Sequence, residues 1–167
     1  MFNPQYIKME SHHQPQVEDL ITAAMNKDEG RWAKQTFDFH FACVAQGIDS
    51  SREFNVALLN GEVIGIVGLH HYRWGPEQNI WLSWFAVRPD QQRKGVGQWL
   101  FTEMCKQARK KGYEKVFIET YQHATFDRAV KFYQQQGFRE VGRIARYLAD
   151  GSDMLVFQLN ISKKNQN

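Results

Sequence analysis

The stretch Trp81-Leu-Ser-Trp-Phe-Ala-Val87 is followed directly by Arg88-Pro-Asp-Gln-Gln-Arg-Lys94, by Gly95-Val-Gly97, and by a segment from Gln98 to Lys111. Its first part is continuously apolar and aromatic, which is typical of a strand buried on both faces. The strand is expected to end at Pro89, because proline donates no hydrogen bond to a neighbouring strand. The sequence therefore predicts a strand, then a polar loop with two glycines, and then a further regular element.

That further element has the pattern of an amphipathic helix. Its apolar residues recur every four positions: Val96, Leu100, Met104 and Ala108. Lys110 and Lys111 fall in the last turn, where basic residues are favourable, and Gly112 suits the position just after a helix. We therefore expect a helix from Val96 to about Lys111.

The loop between the strand and the helix is suited to an anion. Gly95 and Gly97 let backbone N–H groups approach a ligand with no side chain between them. The N-terminus of the following helix adds roughly half a positive charge. Arg93 and Lys94 supply full charges beside it. The expected ligand is a phosphate or pyrophosphate group.

Two common phosphate-binding motifs do not match this loop. A P-loop requires lysine and then serine or threonine after its last glycine, whereas Gly97 is followed by Gln98. A dinucleotide-binding loop requires a third glycine, where this chain has Leu100, and a tighter turn than the long Pro89–Lys94 segment. Glu119 does lie about where a ribose-binding acid would be, but the length of the loop opposes that interpretation.

A third motif does match. The segment Gln92-Arg-Lys-Gly-Val-Gly97, with Val87-x-Pro89 ahead of it, resembles the acetyl-CoA-binding motif of the GNAT N-acetyltransferase superfamily. A second segment, Ala129-Val-Lys-Phe-Tyr-Gln-Gln-Gln-Gly-Phe138, resembles the Ala-x-x-Phe-Tyr-x-x-x-Gly-Phe pattern of the same superfamily. The hexapeptide alone would be weak evidence. Two motifs in the right order, the first between a buried strand and an amphipathic helix, are specific.

The rest of the chain predicts elements in a compatible order. We expect strands over Gln5–Glu10, Phe54–Leu59, Val63–His71, Val116–Thr120, Phe138–Arg146 and Met154–Ile161. We expect helices over about residues 15–27 and 31–45, and one capped by Thr125 and ended by Gly137. Asn60-Gly61 between two apolar runs predicts a tight hairpin.

The resemblance implies one α/β (α+β) domain over residues 1–167. The tail over residues 162–167 is rich in lysine and asparagine and is expected to be disordered. Its core is a mixed, mostly antiparallel sheet of about seven strands with helices on both faces. In that fold the strands corresponding to Asn79–Val87 and Val116–Thr120 separate, and the gap admits the pantetheine arm of the cofactor.

Composition narrows the class of protein. The 167 residues are 43% hydrophobic and 23% charged, values typical of a globular domain, and the net charge is only +3. The basic excess is local to the glycine loop and its helix, which favours one compact anionic ligand over nucleic acid. Cys43 and Cys105 are isolated, and the N-terminus carries no apolar leader. No apolar run is long enough for a membrane span, so we expect a cytoplasmic protein that binds no membrane.

The resemblance also assigns a cofactor site, with acetyl-CoA as the cofactor. The pyrophosphate is expected on Gln92, Arg93, Lys94, Gly95, Val96, Gly97 and Gln98, and the pantetheine on the backbone of Phe85, Ala86 and Val87. A backbone N–H near Val87 would polarise the thioester carbonyl. The superfamily often has asparagine where this chain has Phe126, so the cofactor contact at that position is expected to be apolar.

Two residues are candidates for proton transfer. Tyr133 matches the general acid of the superfamily, and this role is favoured over the alternative of a core tyrosine, which its place in an apolar stripe with Phe126 and Val130 suggests. Many relatives carry a glutamate near the positions of Ser83 or Trp84, and this chain does not. Glu119 is therefore the candidate base, with a structural role as the alternative.

The histidines are weaker candidates. His70 and His71 are neighbours on a predicted strand and face opposite sides, so only one can reach the cleft and the pair does not chelate a metal. His12-His13 and Asp38-x-His40 are expected to be surface residues rather than metal ligands. No metal site is expected.

These observations predict an N-acetyltransferase that moves an acetyl group directly to a primary amine of a small molecule or peptide within a ternary complex. Aromatic residues expected around the cleft predict a cationic acceptor with an apolar or aromatic body: Tyr72, Trp74, Trp84, Tyr121 and Tyr147, together with the acids Glu119 and Asp153. A non-catalytic acyl-CoA-binding module is the main alternative, and a nucleotide-binding oxidoreductase ranks third. The resemblance leaves a homodimer open.

Overall fold

Seven strands form one sheet in the order β1-β2-β3-β4-β5-β7-β6 in the computed structural model, which describes residues 3–162. The strands are β1 Gln5–Lys8, β2 Arg52–Leu59, β3 Glu62–His70, β4 Asn79–Val87, β5 Lys115–Tyr121, β6 Arg139–Ile144 and β7 Met154–Asn160. Only β4 and β5 pair in parallel, and the other neighbours are antiparallel. The predicted mixed, mostly antiparallel sheet is confirmed. Of the tail expected to be disordered, residues 162–167, all but Ser162 lie outside the described residues.

Four helices cover the two faces of the sheet, as predicted. They are α1 Gln14–Ala24, α2 Lys27–Ala45, α3 Val96–Lys110 and α4 Asp127–Gln135. One buried cluster joins the sheet to α1 and α2 through Val17, Ile21, Phe37, Phe54 and Ile66. The other joins it to α3 and α4 through Leu100, Met104, Ile118, Tyr133 and Phe157. Within residues 3–162 no helix combines the length and the apolarity that crossing a membrane would require.

The break between the first two helices lies at residues 25–26, earlier in the chain than the sequence pattern predicts. The helix predicted over residues 15–27 ends at Ala24, and the next begins at Lys27. Asn26 caps that second helix by accepting a hydrogen bond from the N–H of Glu29 at 2.9 Å. The helix predicted over residues 31–45 is confirmed, and it starts four residues earlier than expected.

Two local predictions were wrong. Thr125 does not cap α4. It lies in a turn of 3₁₀ helix that precedes α4, and its own N–H donates a hydrogen bond to His123 Nδ1. His13 and His40 are buried rather than on the surface, with 6% and 4% of their area exposed. Each ring forms one hydrogen bond through Nδ1, His13 with the backbone N–H of Glu10 and His40 with Ser50, which lowers the cost of burying it.

A bulge and a separation of strands shape the centre of the sheet. Gly68 on β3 opposes both Ser83 and Trp84 on β4, because Val67 pairs with Phe85 and Leu69 with Leu82. A side chain at Gly68 would place its Cβ 2.3 Å from Ser83 Oγ, so glycine makes room for the bulge.

Just beyond the bulge, β4 and β5 part. They pair only as far as Leu82 and Ile118, while β5 continues beside β7 to Tyr121. The edge of β4 that faces β5 therefore has no strand partner from Ser83 onward. A gap opens there in the middle of the sheet, where the resemblance places the pantetheine arm.

Candidate active site

Two cavities meet at the gap between β4 and β5. The first, the loop cavity, measures about 380 Å³ and lies between the end of β4, the glycine loop and α4. The second, the cleft cavity, measures about 650 Å³ and lies between α2, β4, β5 and the β6–β7 connection. Six residues line both: Met25, Phe85, Thr125, Phe126, Ala129 and Tyr133. The cavities are therefore two ends of one passage through the sheet.

The loop cavity is built from backbone as much as from side chains. Gly95 takes the left-handed conformation (φ 83°) at the start of α3, which an L side chain rarely adopts. As in any helix, the first N–H groups of α3 have no partner within the helix. At Gly97 a Cβ would lie 3.7 Å from Val87 and 4.0 Å from Phe132, so this wall of the cavity is open.

Two arginines bring positive charge to the loop cavity. Arg93 was expected there from its place in the motif, and Arg128 on α4 was not. Arg128 donates a hydrogen bond to Gln92 Oε1 at 3.2 Å, and Gln92 Nε2 donates to the carbonyl of Val87 at 3.0 Å. The side chain of Gln92 thus links α4 to the end of β4.

The structure brings together most, but not all, of the predicted cofactor residues. The predicted residues that line the loop cavity are Phe85, Ala86, Val87, Gln92, Arg93, Gly97, Phe126 and Tyr133. Lys94, Gly95, Val96 and Gln98 do not line it. The Val96 side chain is fully buried in the core, and Gln98 exchanges two hydrogen bonds with Gln136. These residues can contribute only backbone groups or long-range charge.

Tyr133 lies where the two cavities join. Only 6% of its surface is exposed, and its ring packs among Phe85, Phe132 and Phe138. Within residues 3–162 no protein group forms a hydrogen bond with its hydroxyl. Burial raises the pKa of Tyr133 well above its ordinary value, so the hydroxyl keeps its proton at neutral pH.

Glu119 lines the cleft cavity on the exposed face of β5. It shares that face with Phe117 and Tyr121, because Val116 and Ile118 point into the opposite core cluster. In the described part of the chain, Glu119 forms no ion pair or side-chain hydrogen bond. Burial raises the pKa of Tyr121, and the negative charge of Glu119 raises it further. The carboxylate is thus free to interact with a molecule in the cavity.

One histidine that lines the cleft cavity already accepts a hydrogen bond, and the other is largely buried. His123 accepts the N–H of Thr125 on Nδ1 at 3.1 Å, and its Nε2 lies 3.6 Å from Asp150. Its one lone pair is therefore already used. Burial, with the charges of Arg52 and His71, lowers the pKa of His70 to about 4. His70 thus stays neutral at pH 7.

Carboxylates outnumber cations around the cleft cavity. Asp28 and Glu29 on α2, Glu119 on β5 and Asp150 face one guanidinium, that of Arg52. Glu29 had not been predicted, and it accepts a hydrogen bond from Trp84 Nε1 at 2.9 Å across 55 positions of sequence. By contrast, Asp153 pairs with Arg143 at 2.9 Å and lies outside the cavity.

The predicted aromatic residues divide into two groups. Tyr72, Trp84 and Tyr121 line the cleft cavity. Trp74 is 85% exposed and stacks on the outer side of Tyr72, and Tyr147 stacks on Tyr121. Trp74 and Tyr147 therefore support the lining rings without lining the cavity themselves.

Protonation of His70 should make the stability of the fold depend on pH. Its pKa is about 4 in the folded protein and about 6.5 in the unfolded chain, so only the unfolded chain takes up this proton between those values. We expect the free energy of unfolding to fall as the pH is lowered from about 6.5 to about 4. Urea denaturation across this range should give a shallower dependence for His70→Gln, and an unchanged slope would contradict this assignment.

Comparison with known proteins agrees with this geometry. The model of a family described as "Acetyltransferase (GNAT) family" matches residues 15–138. The uncharacterized N-acetyltransferase YsnE of Bacillus subtilis strain 168 is 26% identical, in an alignment that covers 57% of this chain and 78% of that protein.

Solved structures show the same fold. A protein described as an acetyltransferase of the GNAT family, from Desulfovibrio desulfuricans, superposes with a TM-score of 0.86 at 20% identity, covering 96% of this chain and 100% of that one. The PaiA N-acetyltransferase of Thermoplasma acidophilum, solved with coenzyme A, gives 0.73 at 16% identity, covering 95% and 99%.

Fold and site together define a protein with a divided central sheet, in which a cavity beside the glycine loop and an acidic cleft meet. The family match extends over most of the chain. This protein belongs to the GNAT acetyltransferase family.

Proposed function

We propose that this protein transfers an acetyl group from acetyl-CoA to a primary amine, directly and within a ternary complex. One observation carries the proposal: the loop cavity and the cleft cavity meet at Tyr133, so a molecule in each could bring its reacting atoms together there. Acetyl-CoA supplies an acetyl group activated as a thioester. Everything else follows from what the side chains and backbone around the junction can bind, orient and protonate.

The loop cavity fits the cofactor. Its phosphate end combines the free N–H groups of α3 with Arg93 and Arg128, and fixed positive charge favours a pyrophosphate there. Its inner end is apolar, with Phe85, Phe126 and Phe132 on its walls. The unpaired edge of β4 beyond Leu82 offers backbone groups to an amide-containing arm. A backbone N–H near Val87 would donate to the thioester oxygen as negative charge develops on it.

Tyr133 would protonate the departing sulfur. Its hydroxyl has no protein partner in the described structure and lies at the junction, and its raised pKa keeps the proton in place until it is needed. A high pKa makes a weaker donor, but the same buried environment raises the basicity of a thiolate formed beside it. Burial thus raises the pKa of the donor and the pKa of the acceptor together, and because these shifts offset each other the proton transfer remains feasible.

Glu119 would receive the proton that the amine loses. An alkylamine with a pKa near 10.4 is almost entirely protonated at neutral pH, so a route for its proton is required. Of the carboxylates around the cleft cavity, Asp28 pairs with Arg31, Asp150 accepts the N–H of Ser152, and Glu29 holds Trp84. Glu119 has no such partner within residues 3–162.

The acceptor is then a cation with an apolar or aromatic body. With Asp28 paired to Arg31, three carboxylates remain against the guanidinium of Arg52 and give the cleft cavity a negative potential, which attracts an ammonium group and repels a polyanion. Tyr72, Trp84 and Tyr121 supply aromatic faces for the rest of the molecule. Both a small amine and the terminus of a peptide meet this description.

A screen of primary amines for release of free CoA tests the proposal. We expect release with cationic amines that carry an aromatic or alkyl body, and a mass increase of one acetyl group on the amine. Acetyl-CoA binding without release for any amine, small or peptidic, would contradict the proposal and support a non-catalytic acyl-CoA-binding module. Intact-mass analysis without an amine should show no acetylated protein, as direct transfer requires.

Replacing Trp84 tests where the acceptor binds. Trp84→Ala removes an aromatic face and frees Glu29, so we expect the KM for the acceptor to rise roughly 2- to 30-fold, for a contact of about 0.5–2 kcal/mol. Calorimetry should show nearly unchanged affinity for acetyl-CoA. Trp84→Phe is the matched control, because it keeps a ring and loses only the bond to Glu29. Weakened cofactor binding with an unchanged acceptor KM would contradict this placement.

A further inference from the structure

Another cavity lies at the edge of the sheet, away from the passage that contains Tyr133. It measures about 520 Å³, and we call it the edge cavity. It exists because β1 is short: β1 ends at Lys8, opposite Asn55, whereas β2 begins at Arg52. The C-terminal parts of α2 and α3 pass on either side of this uncovered end of β2 and contribute to the walls.

Three cations and two carboxylates line the edge cavity: Lys8, Arg52 and Lys111, with Asp49 and Glu53. Lys8 and Arg52 line it, and within residues 3–162 neither forms an ion pair or a side-chain hydrogen bond. Lys111 also lines it but is paired with Glu53, whose carboxylate accepts a second hydrogen bond from Asn55. Asp49 accepts the N–H of Ser51, so among the described residues Lys8 and Arg52 are the lining cations that have no carboxylate partner, and the lining carries a net positive charge.

A buried imidazole completes the polar wall. His40 is only 4% exposed, and its Nδ1 lies 2.7 Å from Ser50 Oγ, which leaves Nε2 as the ring nitrogen without a described partner. When Ser50 donates to Nδ1, the Nε2 proton becomes a donor. Burial, Lys8 and Arg52 lower the pKa of His40, so an anion would relieve the repulsion between these groups.

The rim of the edge cavity is apolar. Val44 and Ile48 line it, and each is about half exposed. A ligand that presents oxygen atoms to Lys8, Arg52 and His40 would lay its remaining atoms against these two side chains. An organic anion, which has a charged part and an apolar part, matches this polar wall and apolar rim better than a bare inorganic ion.

We propose that the edge cavity binds a small organic anion, a carboxylate or a phosphate monoester with a short apolar body, through Lys8, Arg52 and His40. Arg52 also lines the cleft cavity, so the two sites share one guanidinium. An anion that engages Arg52 leaves the cleft cavity more negative. Binding at the edge cavity therefore strengthens binding of a cationic acceptor, and the coupling is reciprocal.

The test measures binding with the full chain and with neither acetyl-CoA nor an amine present. Phosphate and butyrate are titrated separately at pH 7 while the ring C–H resonances of His40, assigned with His40→Gln, are followed by NMR. We expect a saturable shift with at least one anion, and which anion binds identifies the headgroup. Lys8→Gln and Arg52→Gln should each weaken binding about tenfold or more. The control Lys110→Gln, an exposed lysine outside the cavity, should not.

No saturable shift with either anion, or full affinity in the Lys8→Gln/Arg52→Gln double variant, would overturn the proposal. Circular dichroism of each variant checks that it is folded. A second measurement, the KM of a cationic amine with and without saturating anion, tests the coupling and rests on the proposed function. Because the binding titration needs no reaction, a failure of this proposal is distinguishable from a failure of the acetyl-transfer proposal.

Discussion

Tyr133→Phe is expected to lower kcat by about 10²- to 10⁴-fold while leaving the affinity for acetyl-CoA nearly unchanged. The substitution removes one hydroxyl at the junction of the two cavities and keeps the ring that packs on Phe85 and Phe138. Steady-state kinetics with a saturating amine, together with calorimetry of acetyl-CoA binding, measure both quantities.

Tyr133 could also be a tyrosine that serves only the core, and the same variant separates the two roles. Because the hydroxyl has no partner in the described structure, its loss should cost little stability. Normal kcat in folded Tyr133→Phe would exclude the acid role. Phe132→Leu is a useful control, since Phe132 is adjacent and stacks on Phe85 but offers no proton.

Gly97→Glu is expected to abolish measurable binding of acetyl-CoA. The new side chain would extend into the loop cavity and place a carboxylate beside the proposed pyrophosphate. Juxtaposed like charges cost several kcal/mol, which corresponds to more than about a hundredfold in affinity. The fold should survive, because an acidic residue in the first turn of α3 interacts favourably with the helix dipole.

Gly97→Ala is the matched control for that experiment. A Cβ at this position meets nothing closer than 3.7 Å, so alanine fits without moving Val87 or Phe132. We expect Gly97→Ala to bind acetyl-CoA with far less loss than Gly97→Glu. Unchanged affinity in a folded Gly97→Glu variant would remove the loop cavity from consideration as the cofactor site.

Local patterns predicted the parts of this fold that local forces determine. The strand before Pro89, the helix from Val96 and the Asn60-Gly61 hairpin each carry their own signal within a few residues, and all three are confirmed. Where a local signal had a competitor, the prediction failed. Thr125 has a side chain that commonly caps helices, but here its backbone N–H donates a hydrogen bond to His123, two residues earlier.

The candidate site was predicted less completely, because its walls come from distant parts of the chain. Gln92, Arg93 and Gly97 were found from a motif, whereas nothing in the sequence marks Glu29, which reaches Trp84 only through the packing of α2 on the sheet. Arg128 was missed for the same reason. Burial of His40 likewise depends on Ser50, a loop residue that packing brings to the ring.

The most direct test of the account is a crystal structure of the protein with acetyl-CoA. We expect the pyrophosphate beside Arg93 and Gly97, the pantetheine in the gap beyond Leu82, and the thioester sulfur within about 3.5 Å of the Tyr133 hydroxyl. The acetyl group should face the cleft cavity, on the side of Glu119. Acetyl-CoA bound with its thioester away from Tyr133, or with its pyrophosphate outside the loop cavity, would contradict the proposed function.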